Sequence, residues 1–161
     1  MGPQKLSREL GIKLDAAKAF IAKYFERLPG LSAFYDAIVD TARDQGFVTT
    51  LAGRRRLLPD IDSRNSQLAS QARRQAINTV VQGSAADIIK MAMLAADADA
   101  TLHRLEARLV LQIHDELLLE VPESNGTGAG ERLCAIMAGI MPLSVPLTVD
   151  WGQGRTWGQA H

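Results

Sequence analysis

Apolar positions alternate between helical and strand-like spacing along this chain, and the alternation predicts its elements. Leu6 and Leu10 lie one turn apart, Gly11 interrupts, and Asp15 is placed to cap a helix carrying Ala19, Phe20 and Tyr24, so residues 4–28 read as helical. After Pro29-Gly30, Leu31, Phe34, Tyr35, Ile38 and Val39 recur at three- and four-residue spacing and predict a second helix that ends near Gly46. Phe47–Leu51 and Arg54–Leu58 then read as the arms of a β-hairpin turning at Ala52-Gly53. Residues 59–63 read as a loop. No proline interrupts residues 60–121, and the spacing predicts one long helix from about 65 to 98.

Two apolar runs follow, Leu109-Val110-Leu111 and Leu117-Leu118-Leu119, each too short for a helix. They predict a second hairpin over 108–121 with Gln112-Ile113-His114-Asp115-Glu116 at its tip. Ser124–Gly130 reads as a flexible loop whose glycines fit no phosphate-cradling motif, Glu131–Met141 as a helix, and Val145–Val149 as a final strand with Pro146 near its start.

The long helix carries a polar stripe. Arg74, Asn78 and Gln82 are spaced four apart, with Gln71 on the same side, whereas Ile77, Val80, Ile88 and Met91 turn away toward a core. Arg, Asn and Gln without a carboxylate suit the minor groove of a duplex, where correctly paired bases present acceptors in nearly the same places. A solvated polar face is the alternative. Asp87 and Lys90 read as a surface pair or internal support. The hairpin tip joins an imidazole to two adjacent carboxylates, and oxygen donors held at a rigid strand end suit Mg²⁺. A solvated turn is the alternative there too.

Composition sets bounds. Hydrophobic residues make up 47% and charged residues 22% of the 161, and the net charge is zero, which excludes a polycation that simply coats DNA. Charge is nonetheless uneven: Arg54, Arg55, Arg56, Arg64, Arg73 and Arg74 fall together, as do Asp115, Glu116, Glu120, Glu123 and Glu131. Arg54-Arg55-Arg56 reads either as a charged hairpin edge that resists aggregation or as a phosphate-contacting patch. The single cysteine, Cys134, cannot form an internal disulfide, which fits a reducing compartment. No apolar run approaches transmembrane length.

Arg73-Arg74-Gln75-Ala76-Ile77-Asn78-Thr79-Val80-Val81-Gln82-Gly83-Ser84-Ala85-Ala86-Asp87-Ile88-Ile89-Lys90, taken with the His-Asp-Glu tip, resembles the family A DNA polymerases. Gly53–Pro59 is similar to that family's fingers hairpin, Met1–Leu10 to the segment after its nucleotide-binding helix, and Trp157–His161 to its C-terminus. Arg73 departs from the family, where Glu is common, and Ser84 replaces a frequent Thr. The resemblance implies an α+β fold, helices packed on a small antiparallel palm-type sheet with a second hairpin in the fingers part. It implies partial fingers over 1–75 and partial palm over 76–161. The sequence reads as the C-terminal piece of a DNA-directed DNA polymerase of replication or repair, found in a bacterial cytoplasm or a eukaryotic nucleus.

The resemblance also implies roles. Asp115 is expected as a catalytic carboxylate and metal ligand, with Glu116 beside it, serving two Mg²⁺ ions in the intact enzyme. Arg74, Asn78, Gln82 and His114 are expected to contact primer–template DNA, and deoxynucleoside triphosphates are the expected substrates. The family's other metal-binding Asp motif and its triphosphate-gripping helix are not found in this sequence, so the 161-residue chain is expected to be inactive alone and to self-associate. A non-catalytic nucleic-acid-binding module is the alternative. A His114/Asp115/Glu116 hydrolase is disfavoured, because adjacent strand residues point to opposite faces.

Overall fold

The computed structural model describes residues 2–160; Met1 and His161, the outer ends of two segments that carry the resemblance, lie outside the described residues. The chain divides into two compact units, Met1–Val48 with Arg55–Val80, and Thr49–Arg54 with Val81–His161.

In the first unit, α1 (Pro3–Leu10) ends at Gly11, α2 spans Leu14–Arg27, and α3 spans Pro29–Gln45. Asp15 does not cap α2. The cap position is Lys13, and Asp15 lies inside the first turn, 3.4 Å from Lys18 Nζ, where a carboxylate favours the helix dipole. Gly46 closes α3 in the left-handed region at φ 74°, donating its N–H to Ala42 O at 2.9 Å. That reversal sends the chain into β1 (Phe47–Thr49), which pairs with β2 (Arg55–Leu57) as anticipated, with shorter arms. Arg55 lies 4.8 Å from the centroid of the Phe47 ring.

Asn65 starts α4 (Ser66–Asn78), its side chain accepting the Gln67 N–H at 2.9 Å. Ile38 and Ala42 of α3, Val48, Leu58 and Ile61, and Ala72 and Ala76 of α4 form the core of this unit. Alanines on α4 let α3 approach closely, which is why the buried stripe of that helix is small-residue rather than Ile-rich.

The single helix expected from 65 to 98 is interrupted. Thr79–Gly83 form a π turn, and α5 (Ser84–Asp97) follows. A π turn adds a residue to the helical cycle, so spacing rules built on 3.6 residues fail across it. This explains why Ile89, Ala92 and Ala96 are the buried apolar residues of α5, whereas Ile88 and Met91 are only half-buried.

The second unit contains α5, α6 (Ala100–Arg104), the hairpin β3 (Arg108–Ile113) and β4 (Glu116–Glu120), α7 (Gly126–Gly139) and α8 (Trp157–Ala160). Its core joins Ala96, Leu102, Ala129 and Leu133, with Leu117, Leu119 and Val121 packed against them. The antiparallel register runs from Arg108 opposite Glu120 to Ile113 opposite Glu116, with an irregularity at Val110, between Leu109 and Leu111.

Two expectations fail in this unit. Residues 124–130 are not a flexible loop: a 3₁₀ turn at Glu123–Asn125 leads into α7, which starts at Gly126. The glycines serve close approach, since a Cβ on Gly130 would strike the Trp151 ring and one on Gly126 the Gln153 side chain. Burial of Ala129 and Leu133 offsets their poor helix propensity. The strand expected at 145–149 does not form. A strand needs a neighbour's hydrogen-bond ladder, and among the described residues this segment pairs with none.

Asp99 ties α6 to α7. Its Oδ1 accepts the N–H groups of Thr101 and Leu102 at 3.0 and 2.9 Å, and its Oδ2 accepts from Arg132 Nε at 3.1 Å. The Arg132 guanidinium, followed by the Leu102 N–H, holds this carboxyl far below its ordinary value of 3.8. A depressed folded pKa contributes stability that is present above the unfolded value and lost as pH falls toward the folded one. Asp99→Ala is therefore expected to lower Tm by roughly 2–6 °C at pH 7. Thermal unfolding from pH 7 to 3 checks it: the gap between wild type and variant should narrow below about pH 4.

Candidate nucleic-acid interface and metal half-site

The tip between β3 and β4 is a two-residue turn, His114-Asp115. A turn this short requires left-handed backbone, and His114 supplies it at φ 51°. Such a conformation in a non-glycine residue costs on the order of 1 kcal/mol, and it recurs at functional sites. The Gln112 side chain offsets the cost by donating Nε2–H to His114 O at 2.5 Å. His114, Asp115 and Glu116 are all exposed. The turn thus holds an imidazole and two carboxylates at the end of a strand pair and leaves them open to solvent.

This donor set has the chemistry of part of a metal site. Carboxylate oxygens are the right chemistry for Mg²⁺, which keeps several waters and is held by one or two carboxylates together with substrate phosphates. No cluster of three or more His, Cys, Asp or Glu side chains able to hold a metal occurs among the described residues. Asp115, with Glu116 adjacent, fits as a contributor to a shared site but not as a complete one.

In the first unit, Arg74 and Asn78 lie one turn apart on α4 and are exposed. Arg74 Nη1 donates to Ser70 Oγ at 2.8 Å, and Ser66, Gln67, Ser70, Gln71 and Arg74 line a shallow polar depression. Gln82, in the second unit, is exposed within the π turn.

A further constellation lies where the turn 50–54 meets α5 within the second unit. Asp87, buried, accepts from Arg54 Nε on Oδ1 at 2.9 Å; Arg54 Nη2 donates to Gly83 O at 3.2 Å, and Leu51 N–H donates to Ser84 Oγ at 2.9 Å. The Thr50 hydroxyl is the leading reason that the Asp87 carboxyl sits below its ordinary pKa. Burial pushes the other way, and Arg54 and Lys90 add to the lowering. Asp87 is thus an internal support. The sequence signal was a lone carboxylate inside the apolar run Ala85–Ile89, and its partner lies too far along the chain for spacing to reveal it.

The family model for DNA polymerase family A matches residues 1–159. The chain belongs to DNA polymerase family A. It is 48% identical over 159 residues to DNA polymerase I of Bacillus caldotenax, covering 96% of this chain and 18% of that protein. It is 43% identical to DNA polymerase I of Treponema pallidum, covering 100% and 16%. Among solved structures, the POL domain of Pol1 from M. smegmatis in complex with DNA primer-template and dNTP superposes with a TM-score of 0.92 at 41% identity, covering 99% of this chain and 28% of that one. The chain therefore spans 16–18% of the length of the curated relatives it matches. The α+β reading, with two antiparallel hairpins among helices, agrees with this family. No helix among the described residues is long and apolar enough to cross a membrane.

Proposed function

We propose that these residues are the C-terminal part of a DNA-directed DNA polymerase, residues 1–75 belonging to its fingers and 76–161 to its palm. The observation that carries the reading is the hairpin tip: a family A sequence presents Asp115 and Glu116 exposed on a two-residue turn next to His114. Asp115 is the metal-binding carboxylate, and Glu116 supports it from the start of β4. When bound, Mg²⁺ supplies Lewis-acid stabilisation at the transferring phosphate and lowers the pKa of the attacking primer hydroxyl. His114 contacts the primer end. Arg74 holds the DNA backbone, while Asn78 and Gln82 donate to minor-groove acceptors at the terminal base pairs. The likeness to the Pol1 domain solved with primer-template and dNTP supports DNA and a nucleoside triphosphate as partners.

Primer extension by the full-length protein that carries these residues tests the reading. Templated incorporation of deoxynucleotides that depends on Mg²⁺ is expected; DNA binding without incorporation would leave a non-catalytic binding module instead. The 161-residue chain alone is expected to extend no primer, because its exposed carboxylates make only half a metal site. Exposed Phe20, Phe34, Leu57 and Leu94 also favour self-association. Extension assays and sedimentation of the purified chain check both points, and templated synthesis by the chain alone would overturn the half-site argument.

A further inference from the structure

Three hydrogen bonds join the turn 50–54 to residues 83–87: Leu51 N–H to Ser84 Oγ, Arg54 Nη2 to Gly83 O, and Arg54 Nε to Asp87 Oδ1. The turn is itself closed by Gly53 N–H to Thr50 O at 2.9 Å and by Arg54 N–H to Thr50 Oγ1 at 3.1 Å. Gly83 and Ser84 are the last residue of the π turn and the first of α5, so the bonds fall at the point where one helical cycle changes to the other. Gln82 immediately precedes that point.

We propose that Arg54 and Asp87 form a latch that fixes the end of the π turn and thereby the place where Gln82 is presented. They are positioning residues and touch neither substrate nor metal. The guanidinium suits the task because its planar fork reaches a carboxylate with one nitrogen and a backbone carbonyl with another. Asp87 is buried while the Arg54 side chain is half exposed, so the carboxylate end of the pair is fixed and the guanidinium reaches it from the surface. π turns cost regular hydrogen bonding and persist where function or packing requires them. Here the bonds from the turn 50–54 supply the packing. The inference rests on the reading of Gln82 as a minor-groove contact, and it predicts that the latch tunes how the enzyme senses a correctly paired primer end.

The test is a double-mutant cycle in the full-length polymerase. Extension efficiency is measured on paired and mispaired primer ends for wild type, Arg54→Ala, Gln82→Ala and the double variant. Arg54→Ala is expected to lower the paired-over-mispaired ratio roughly tenfold, within what misplacement of a positioning group costs. The double variant should discriminate no worse than Gln82→Ala alone, since the latch acts through Gln82. Losses that multiply would overturn that route. Arg54→Lys keeps the charge and the fold but replaces the fork with one ammonium group, and an intermediate loss of discrimination is expected. Wild-type discrimination by Arg54→Lys, with a full loss in Arg54→Ala, would reduce the pair to simple charge balance and overturn the latch.

Hydrogen exchange of the amides of residues 81–86 separates this inference from the reading beneath it. Faster exchange in Arg54→Ala with unaltered discrimination in Gln82→Ala supports the latch and removes the minor-groove role. Unchanged exchange overturns the latch whatever Gln82 does.

Discussion

Asp115→Asn in the full-length polymerase is expected to lower nucleotide incorporation by roughly 10³-fold or more, with Tm and DNA affinity retained. Asn keeps the shape of the side chain and removes the charge. The residue is exposed at the tip, so no buried partner is left unpaired and the fold has little to lose. Asp115 contributes no positive charge to phosphate contacts, so its neutralisation takes nothing from DNA binding. The expected pattern is therefore a collapse of the rate of the chemical step with the primer–template dissociation constant unchanged. Single-turnover extension and a DNA-binding titration separate the two. Extension near the wild-type rate would remove Asp115 from the metal site. Glu116→Gln should cost less, because Glu116 opens β4, pairs across the hairpin with Ile113 and supports rather than anchors the site.

Much of this was legible in the sequence because it is local. The hairpin tip follows from two apolar runs separated by a short polar segment, and that pattern has few alternative solutions. The helix stops at Gly11 and Gly46 likewise depend on a few neighbouring residues. What escaped depends on contacts distant in sequence. Gly126 and Gly130 look like a loop until Gln153 and Trp151 occupy the space that their missing side chains leave. The Val145–Val149 segment has strand-like composition, but composition does not supply a neighbouring ladder. The π turn escaped because nothing in Thr79-Val80-Val81-Gln82-Gly83 breaks a helix; the extra residue is stabilised by bonds from the turn 50–54. That one insertion also misplaced the core face of α5, since every position after it shifts by one residue's rotation. Arg54 was legible as part of a basic run, and its engagement with Asp87 was not, because ion pairing over 33 residues leaves no periodic trace.

Gln82→Ala and Asn78→Ala are expected to weaken productive primer–template engagement by about tenfold each, and by the same factor on every template sequence. The minor-groove acceptors of A·T and G·C pairs occupy nearly equivalent positions, so an amide donor aimed at them registers pairing geometry and not base identity. Both side chains are exposed, and Asn78 ends α4 while Gln82 sits within the π turn. Truncating either therefore removes a donor without opening a cavity, and Tm should hold within about 1 °C, as for surface substitutions generally. Arg74→Ala differs in kind. A guanidinium on a phosphate adds to affinity through counterion release, so its loss should flatten the salt dependence of binding. The amide variants should leave that slope intact. Extension measured on templates that differ only in the terminal pair, at two salt concentrations, distinguishes the roles. A defect confined to one base pair would mean that Asn78 or Gln82 reads sequence. A salt slope altered by Gln82→Ala would mean that it meets phosphate rather than base edges.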